Sequence, residues 1–138
     1  VTPHLVLLRV GAERFALPLE GVWHILPTQR VFPLALIRPE FRGVFLYQGE
    51  VVPLLDLPAL VGGGAGSGFA YTVIYGTELG LLGLPVDQVL QIVECRSGTV
   101  AAREPAPPAP VLAQSHFVYG GNEYPLLDVE TLLNTLSR

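Results

Sequence analysis

The chain contains no lysine and no methionine, one cysteine, and charged residues at only 14% of its 138 positions. Each scarcity excludes something. Without lysine, the eight basic residues are all arginines, scattered along the chain, and the net charge is −4. No basic stripe exists to follow a phosphate backbone, so nucleic acid is not an expected partner. Cys95 alone can form no internal disulfide and seeds no metal cluster, which fits a reducing cytoplasm. No apolar run reaches the roughly 18 residues of a membrane span, so no membrane insertion is expected. The N-terminus lacks the charged region, apolar stretch and small-residue cleavage site of a signal peptide. The chain opens on Val1, so flanking sequence is expected to be missing.

What is abundant is apolar. Half of the residues are hydrophobic, punctuated by 15 glycines and 13 prolines. A chain of this length suits one domain, burying about 70% of the surface its unfolded form exposes. So apolar a composition leaves hydrophobic surface outside, the mark of a protein with partners.

Strand signals dominate. His4 to Val10 and Glu13 to Leu19 flank Gly11-Ala12 and read as a hairpin. Glu20 to Leu26 reads as one or two helical turns, and the stretch from Pro27 to Pro39 as extended loop. Arg42 to Gln48 and Val51 to Leu55 flank Gly49-Glu50 as a second hairpin, with Pro53 expected at an edge or bulge. Val61 to Gly68 reads as a linker. Phe69 to Tyr75 with Leu79 to Leu84, and Val111 to Tyr119 with Glu123 to Leu127, form two more pairs. Between them lie a short helix leading into a strand at Asp87 to Glu94 and a Pro/Ala-rich loop at Ala101 to Pro110. Asp128 to Ser137 closes the chain as an amphipathic helix with Asp128 as N-cap and Leu132, Leu133 and Leu136 as its apolar stripe.

The most informative pattern is internal. The segment Ala16 to Leu26 (ALPLEGVWHIL) returns 67 positions later, Leu17 to Leu84, as Gly83 to Val93 (GLPVDQVLQIV). The segment Tyr47 to Leu57 (YQGEVVPLLDL) returns 72 positions later, Pro53 to Pro125, as Tyr119 to Val129 (YGGNEYPLLDV). Two motifs recurring in one order indicate a duplicated unit, with repeats over residues 15–61 and 82–133. One copy is too small to be stable alone, so pairing must bury a shared core. Nearly closed barrels would also hide the sheet edges. The expected architecture is mainly β: one domain over residues 1–138, made of two packed five-stranded β-barrels with short helices and a C-terminal helix.

Catalytic patterns are missing. His4, His24 and His116 stand at no metal-ligand spacing from a Cys, a carboxylate or each other. There is no GxSxG motif, and Ser67 and Ser97 lie beside glycines in turn-like contexts. The glycine run at 62–68 lacks the Lys-Ser/Thr ending and the helix start of a phosphate loop. Asp56, Asp87 and Asp128 recur beside apolar segments and read as helix N-caps rather than an acidic site. Cys95 has one neighbouring cation, Arg96, too little to mark a reactive thiol. No catalytic residue, cofactor or metal is expected.

The residues Phe15 to Val22, the run Arg42-Gly43-Val44-Phe45-Leu46-Tyr47-Gln48-Gly49-Glu50-Val51-Val52-Pro53-Leu54-Leu55-Asp56-Leu57, the later Gly83 to Val89 and the closing Tyr124 to Val129 together resemble the CheW-like domain, in order and over essentially the whole chain. The resemblance implies two intertwined five-stranded barrels and a non-catalytic scaffold of bacterial chemotaxis-like signalling. Its partners would be the regulatory domain of a histidine kinase and the cytoplasmic tip of a chemoreceptor. It also implies a departure. Family members often carry Glu at the position of His24 and Arg at that of Gln48, a pair able to form an ion pair; here a neutral His24–Gln48 hydrogen bond would replace it.

Docking would then use one barrel against a kinase barrel, with the crevice between barrels taking a receptor helical hairpin. Candidate contact residues are Val22, Trp23, His24, Phe45, Gln48, Val86 and Val89, which fall on the motif segments bordering that crevice. Core packing is the competing role for the valines. Trp23, the sole tryptophan, stands out because tryptophan is enriched in binding hot spots. Two other readings compete: a diverged paralogue serving pilus motility or another chemosensory-like pathway, and a small-ligand sensor, which would need a closed pocket of several hundred Å³.

Overall fold

A computed structural model describes residues 3–33, 40–57, 69–102 and 115–136. Eleven strands are present among them: β1 (His4–Val10), β2 (Glu13–Pro18), β3 (Val22–Pro27), β4 (Phe41–Tyr47), β5 (Glu50–Leu55), β6 (Tyr71–Thr77), β7 (Gly80–Val86), β8 (Gln88–Glu94), β9 (Thr99–Ala102), β10 (Ser115–Tyr119) and β11 (Asn122–Pro125). One helix follows, α1 (Val129–Leu136). The hairpins form where glycine turns separate apolar runs, with β1–β2, β4–β5, β6–β7 and β10–β11 all antiparallel.

The strands make three sheets, ordered β2-β1-β8, β11-β10-β9 and β3-β6-β7-β5-β4. None closes on itself, so the expected pair of closed barrels is replaced by curled open sheets. The repeats do not segregate into one sheet each. The β1–β2 and β6–β7 hairpins stand 67 positions apart, so each copy gains a leading strand beyond its motif bounds, β1 in the first and β6 in the second; β3 of the first copy pairs with β6 of the second, and β8 of the second pairs with β1 of the first. Two isolated parallel contacts complete the exchange: Leu54 with Gly83, and Ala16 with Leu126. These are the same motif positions in opposite copies, since Gly83 repeats Ala16 and Leu126 repeats Leu54. The strand exchange is therefore reciprocal.

The core follows the same logic. β1 and β6 are buried on both faces. Val6, Leu8 and Val10 point one way with Val73 and Tyr75, into a large shared core that also takes Phe15, Leu17, Leu84, Val86, Leu132 and Leu133. Leu5 and Leu7 point the other way and pack with Ala16, Phe117 and Tyr124. Ile74 does likewise with Phe45, Val52 and Leu54. Gly83 has no side chain because the Phe45 ring occupies the space a Cβ would need.

Several local expectations are corrected. Glu20 to Leu26 is not helical: a 3-10 turn at Leu19–Gly21 leads directly into β3. Of the helix leading into a strand expected at Asp87 to Glu94, only the strand is present, because β8 runs over the whole of Gln88–Glu94. Both strands carry a β-bulge, between Val22 and His24 and opposite Leu7/Leu8. A bulge shifts the inside–outside alternation by one residue, so an apolar spacing of three or four results, which mimics a helix. Pro53 is not on an edge, because β5 lies inside its sheet. It is tolerated because Val44, opposite it, exchanges both backbone hydrogen bonds with Phe32 instead (2.7 and 3.0 Å). Ala101 and Ala102 belong to β9 rather than to a loop; residues 103–110 and the linker at 61–68 lie outside the described residues.

Of the three aspartates, only Asp128 is seen to cap a helix, accepting from the Thr131 amide at 3.1 Å. Asp87 instead accepts from the Gly11 amide at 2.5 Å, fixing the β1–β2 turn. Asp56 pairs with Arg42 at 3.2 Å; the residues it would cap lie outside the described segments.

Candidate protein-docking surface

The seven motif residues do not share one environment. Phe45 and Val86 are completely buried, in the private core of one curl and in the shared core. They are corrected to core residues, because neither can meet a partner without unfolding the sheet. Val22 and Val89 are half-buried and pack on the shared core. Trp23, His24 and Gln48 are exposed.

Trp23 owes its position to the bulge. Val22 pairs with Tyr75 and His24 with Ile74, leaving Trp23 as the extra residue, turned outward on a strand that ends its sheet. Its exposure is 68%. The indole Nε1 edge lies against Gly76, where any side chain would collide with it. The ring is thus held against the sheet while most of its surface faces outward.

The second copy repeats the device. Leu7 pairs with Gln91 and Leu8 with Val89, so Leu90 is the bulged residue of β8, itself an edge strand. Leu90 is the repeat counterpart of Trp23, and it too is exposed, at 36%, beside exposed Ile92. Further apolar surface stands on the β4–β5 hairpin, where Leu46 and Val51 face each other across the ladder and are both exposed. Leu46, Val51, Leu90 and Ile92 escaped the motif-based selection. Leu90 was readable as Trp23's counterpart, and Leu46 and Val51 as the alternates of buried Phe45 and Val52.

His24 does not meet Gln48. Its Nδ1 lies 3.4 Å from the Tyr47 hydroxyl, the rings meeting edge to face at 6.1 Å. Gln48 stands in the adjoining turn with φ 51°. In the other copy Gln91 donates to the Tyr119 hydroxyl at 3.3 Å. Gln91 repeats His24, and Tyr119 repeats Tyr47. One tyrosine in each copy therefore ties β3 to β4 and β8 to β10, strands with no ladder between them. The position of His24 and its counterpart Gln91 thus serves a local tie in both copies.

Among the described residues, the cavities offer little to a small apolar ligand. The apolar void between α1 and Leu55, Leu57 and Leu84 holds about 10 Å³, about the space of one water. Two larger clefts, about 340 and 300 Å³, open to solvent and are lined partly by charged residues. Among the described residues, no three His, Cys, Asp or Glu side chains are grouped to hold a metal ion, and no helix is long and apolar enough to cross a membrane.

The comparisons agree on the fold. No curated protein matches the chain. Among solved structures, the scaffolding protein TtCheW from Thermoanaerobacter tengcongensis superposes with a TM-score of 0.83 at 14% identity, covering 96% of this chain and 92% of that one. The family model for the CheW-like domain matches residues 4–137, nearly the full length. The chain belongs to the CheW-like domain family.

Proposed function

We propose that this protein is a non-catalytic adaptor of a chemotaxis-like signalling pathway in the cytoplasm, bridging a chemoreceptor tip and the regulatory domain of a histidine kinase. The observation that carries this reading is the pair of bulged edge strands, each turning a large apolar side chain outward at the same motif position: Trp23 and Leu90. A bulge that re-aims a side chain is a built feature of a sheet edge. Two such edges on opposite copies give one small domain two places to dock. Membership of the CheW-like family and the likeness to a scaffolding protein support the adaptor role.

In this reading the kinase domain meets β3 and the β4–β5 hairpin. Trp23 is the anchor, with Leu46, Val51, His24 and Gln48 around it and Val22 beside it on β3; Val89 takes the corresponding place beside Leu90 on the second edge. Affinity comes from apolar burial rather than ion pairing, because His24 and Gln48 bring no opposed charges. Binding should therefore depend weakly on salt. Calorimetric titration with the regulatory domain of a chemotaxis kinase from the same organism tests this, at 50 and 300 mM salt. Micromolar or tighter binding that changes less than about threefold between the two salts supports it. Absence of binding to every such kinase domain of the organism removes the reading.

A further inference from the structure

The larger open cleft, about 340 Å³, lies where the end of β2 and the start of α1 meet; Pro18, Glu20, Tyr75, Leu126, Asp128 and Glu130 are among its lining residues. Its acidity is not shared by the whole fold. In the other copy, the counterpart of Glu20 is Asp87, which is spent on the Gly11 amide of the β1–β2 turn. Here the equivalent turn amide, of Glu78, is held by Glu130 at 3.1 Å, so Glu20 is released. Among the described residues Glu20 has no hydrogen-bond partner. The counterpart of Tyr75 is Leu8, fully buried. A requirement of the duplicated fold would appear in both copies, and this arrangement appears in one.

Tyr75 supplies an independent observation. The residue is 8% exposed. Its phenol end passes against Gly21 into the cleft. No described residue offers its hydroxyl a hydrogen bond. Burial, then the carboxylates of Glu130, Glu20 and Asp128, push the phenol's pKa above its ordinary value. Among the described residues no arginine lines the cleft to offset them. Asp128 is occupied with capping α1 and so offsets the positive end of the helix. That leaves Glu20, the outer oxygen of Glu130 and the phenol as acceptors facing one space.

We propose that this cleft receives an arginine side chain from a partner protein. The planar fork of five N–H donors can reach two carboxylates and a phenol oxygen together, which the point charge of lysine does less well. Pro18 and Leu126 give the aliphatic stem an apolar wall. That the arginine belongs to a protein rests on the adaptor reading, whereas the chemistry of the cleft does not.

The test is an NMR titration of the ¹⁵N-labelled full chain with the tripeptide Ac-Gly-Arg-Gly-NH₂, against its citrulline and lysine versions and against sodium chloride. The arginine peptide should give saturating shifts confined to Gly21, Tyr75 and the start of α1, and bind at least about fivefold more tightly than the citrulline peptide. The Glu20→Gln/Glu130→Gln variant keeps an acceptor oxygen for the Glu78 amide, and should lose about tenfold in affinity with an unchanged spectrum elsewhere. Tyr75→Phe should weaken binding as well. Shifts that follow sodium chloride, persist undiminished in the double glutamine variant, or come equally from lysine or citrulline overturn the proposal. Kinase-domain titration separates the two ideas: binding there with no arginine effect sinks the cleft alone, and saturation by the arginine peptide without kinase binding sinks the adaptor reading alone.

Discussion

Substitution of Gly83 by alanine probes the exchanged architecture at its tightest contact. A Cβ there would fall within 3 Å of the Phe45 ring edge and 3.1 Å from Leu54 Cδ1. Both neighbours are fully buried, so the ring cannot swing into solvent. Overpacking of this kind costs about 1–3 kcal/mol. For a chain of this size about 2 kcal/mol lowers Tm by about 5–8 °C. The other copy supplies the contrast: Ala16 is fully buried beside Phe117, the repeat counterpart of Phe45. The ring there leaves room for one methyl. Trimming the offending ring with Phe45→Leu should therefore cost less in the Gly83→Ala background than in the parent, a coupling of about 1 kcal/mol. Thermal melts of the four proteins measure it. A Gly83→Ala protein melting within 1 °C of the parent, or strictly additive losses, would refute the argument that Phe45 packs across the repeats onto Gly83.

Three further outcomes follow from individual side chains. Thr72 is fully buried with its hydroxyl unpartnered, while its repeat counterpart is Leu5; Thr72→Val should stabilise by about 1 kcal/mol, read by denaturant melts. Tyr75 has a raised folded-state pKa, so above about pH 10 the unfolded chain loses its phenol proton before the folded one does. Stability must then fall as pH rises through that range, and Tyr75→Phe should flatten the alkaline limb of a Tm-versus-pH curve. Gly76→Ala places a methyl where the Trp23 indole edge rests. It should re-aim the ring and weaken kinase-domain binding about tenfold, with little change in the protein's own melting.

The hairpins were legible in sequence because glycine turns and apolar runs are local signals. The returning Leu-Pro and Pro-Leu-Leu-Asp segments were visible too, because they are short exact matches at nearly one spacing. The strand exchange was not, because which β6 or β1 a strand joins is decided by contacts 44 to 90 residues away. β3 and β8 were misread as helical for a physical reason: a bulge breaks alternation, so Val22 and Ile25 both face the shared core three residues apart. Apolar character also failed to separate inside from outside on β4. Phe45 is buried and its neighbour Leu46 exposed, yet both are large and hydrophobic. Trp23 stood out in sequence by its residue type alone, and the structure supplies its exposure and the cause, a bulge at a sheet edge. The acidic cleft had no sequence signal, since Glu20, Tyr75 and Glu130 are brought together only by the fold.

The most direct test of the adaptor account is calorimetric titration of the protein and its Trp23→Ala variant with the kinase regulatory domain of the same organism. Trp23 is mostly exposed, with its indole edge resting against Gly76, so its removal should leave folding nearly unchanged. The account predicts that the variant melts within about 2 °C of the parent and loses about 2 kcal/mol of binding free energy, roughly thirtyfold in Kd. Equal affinity of the two proteins would contradict it, and would take the anchor away from the β3 bulge.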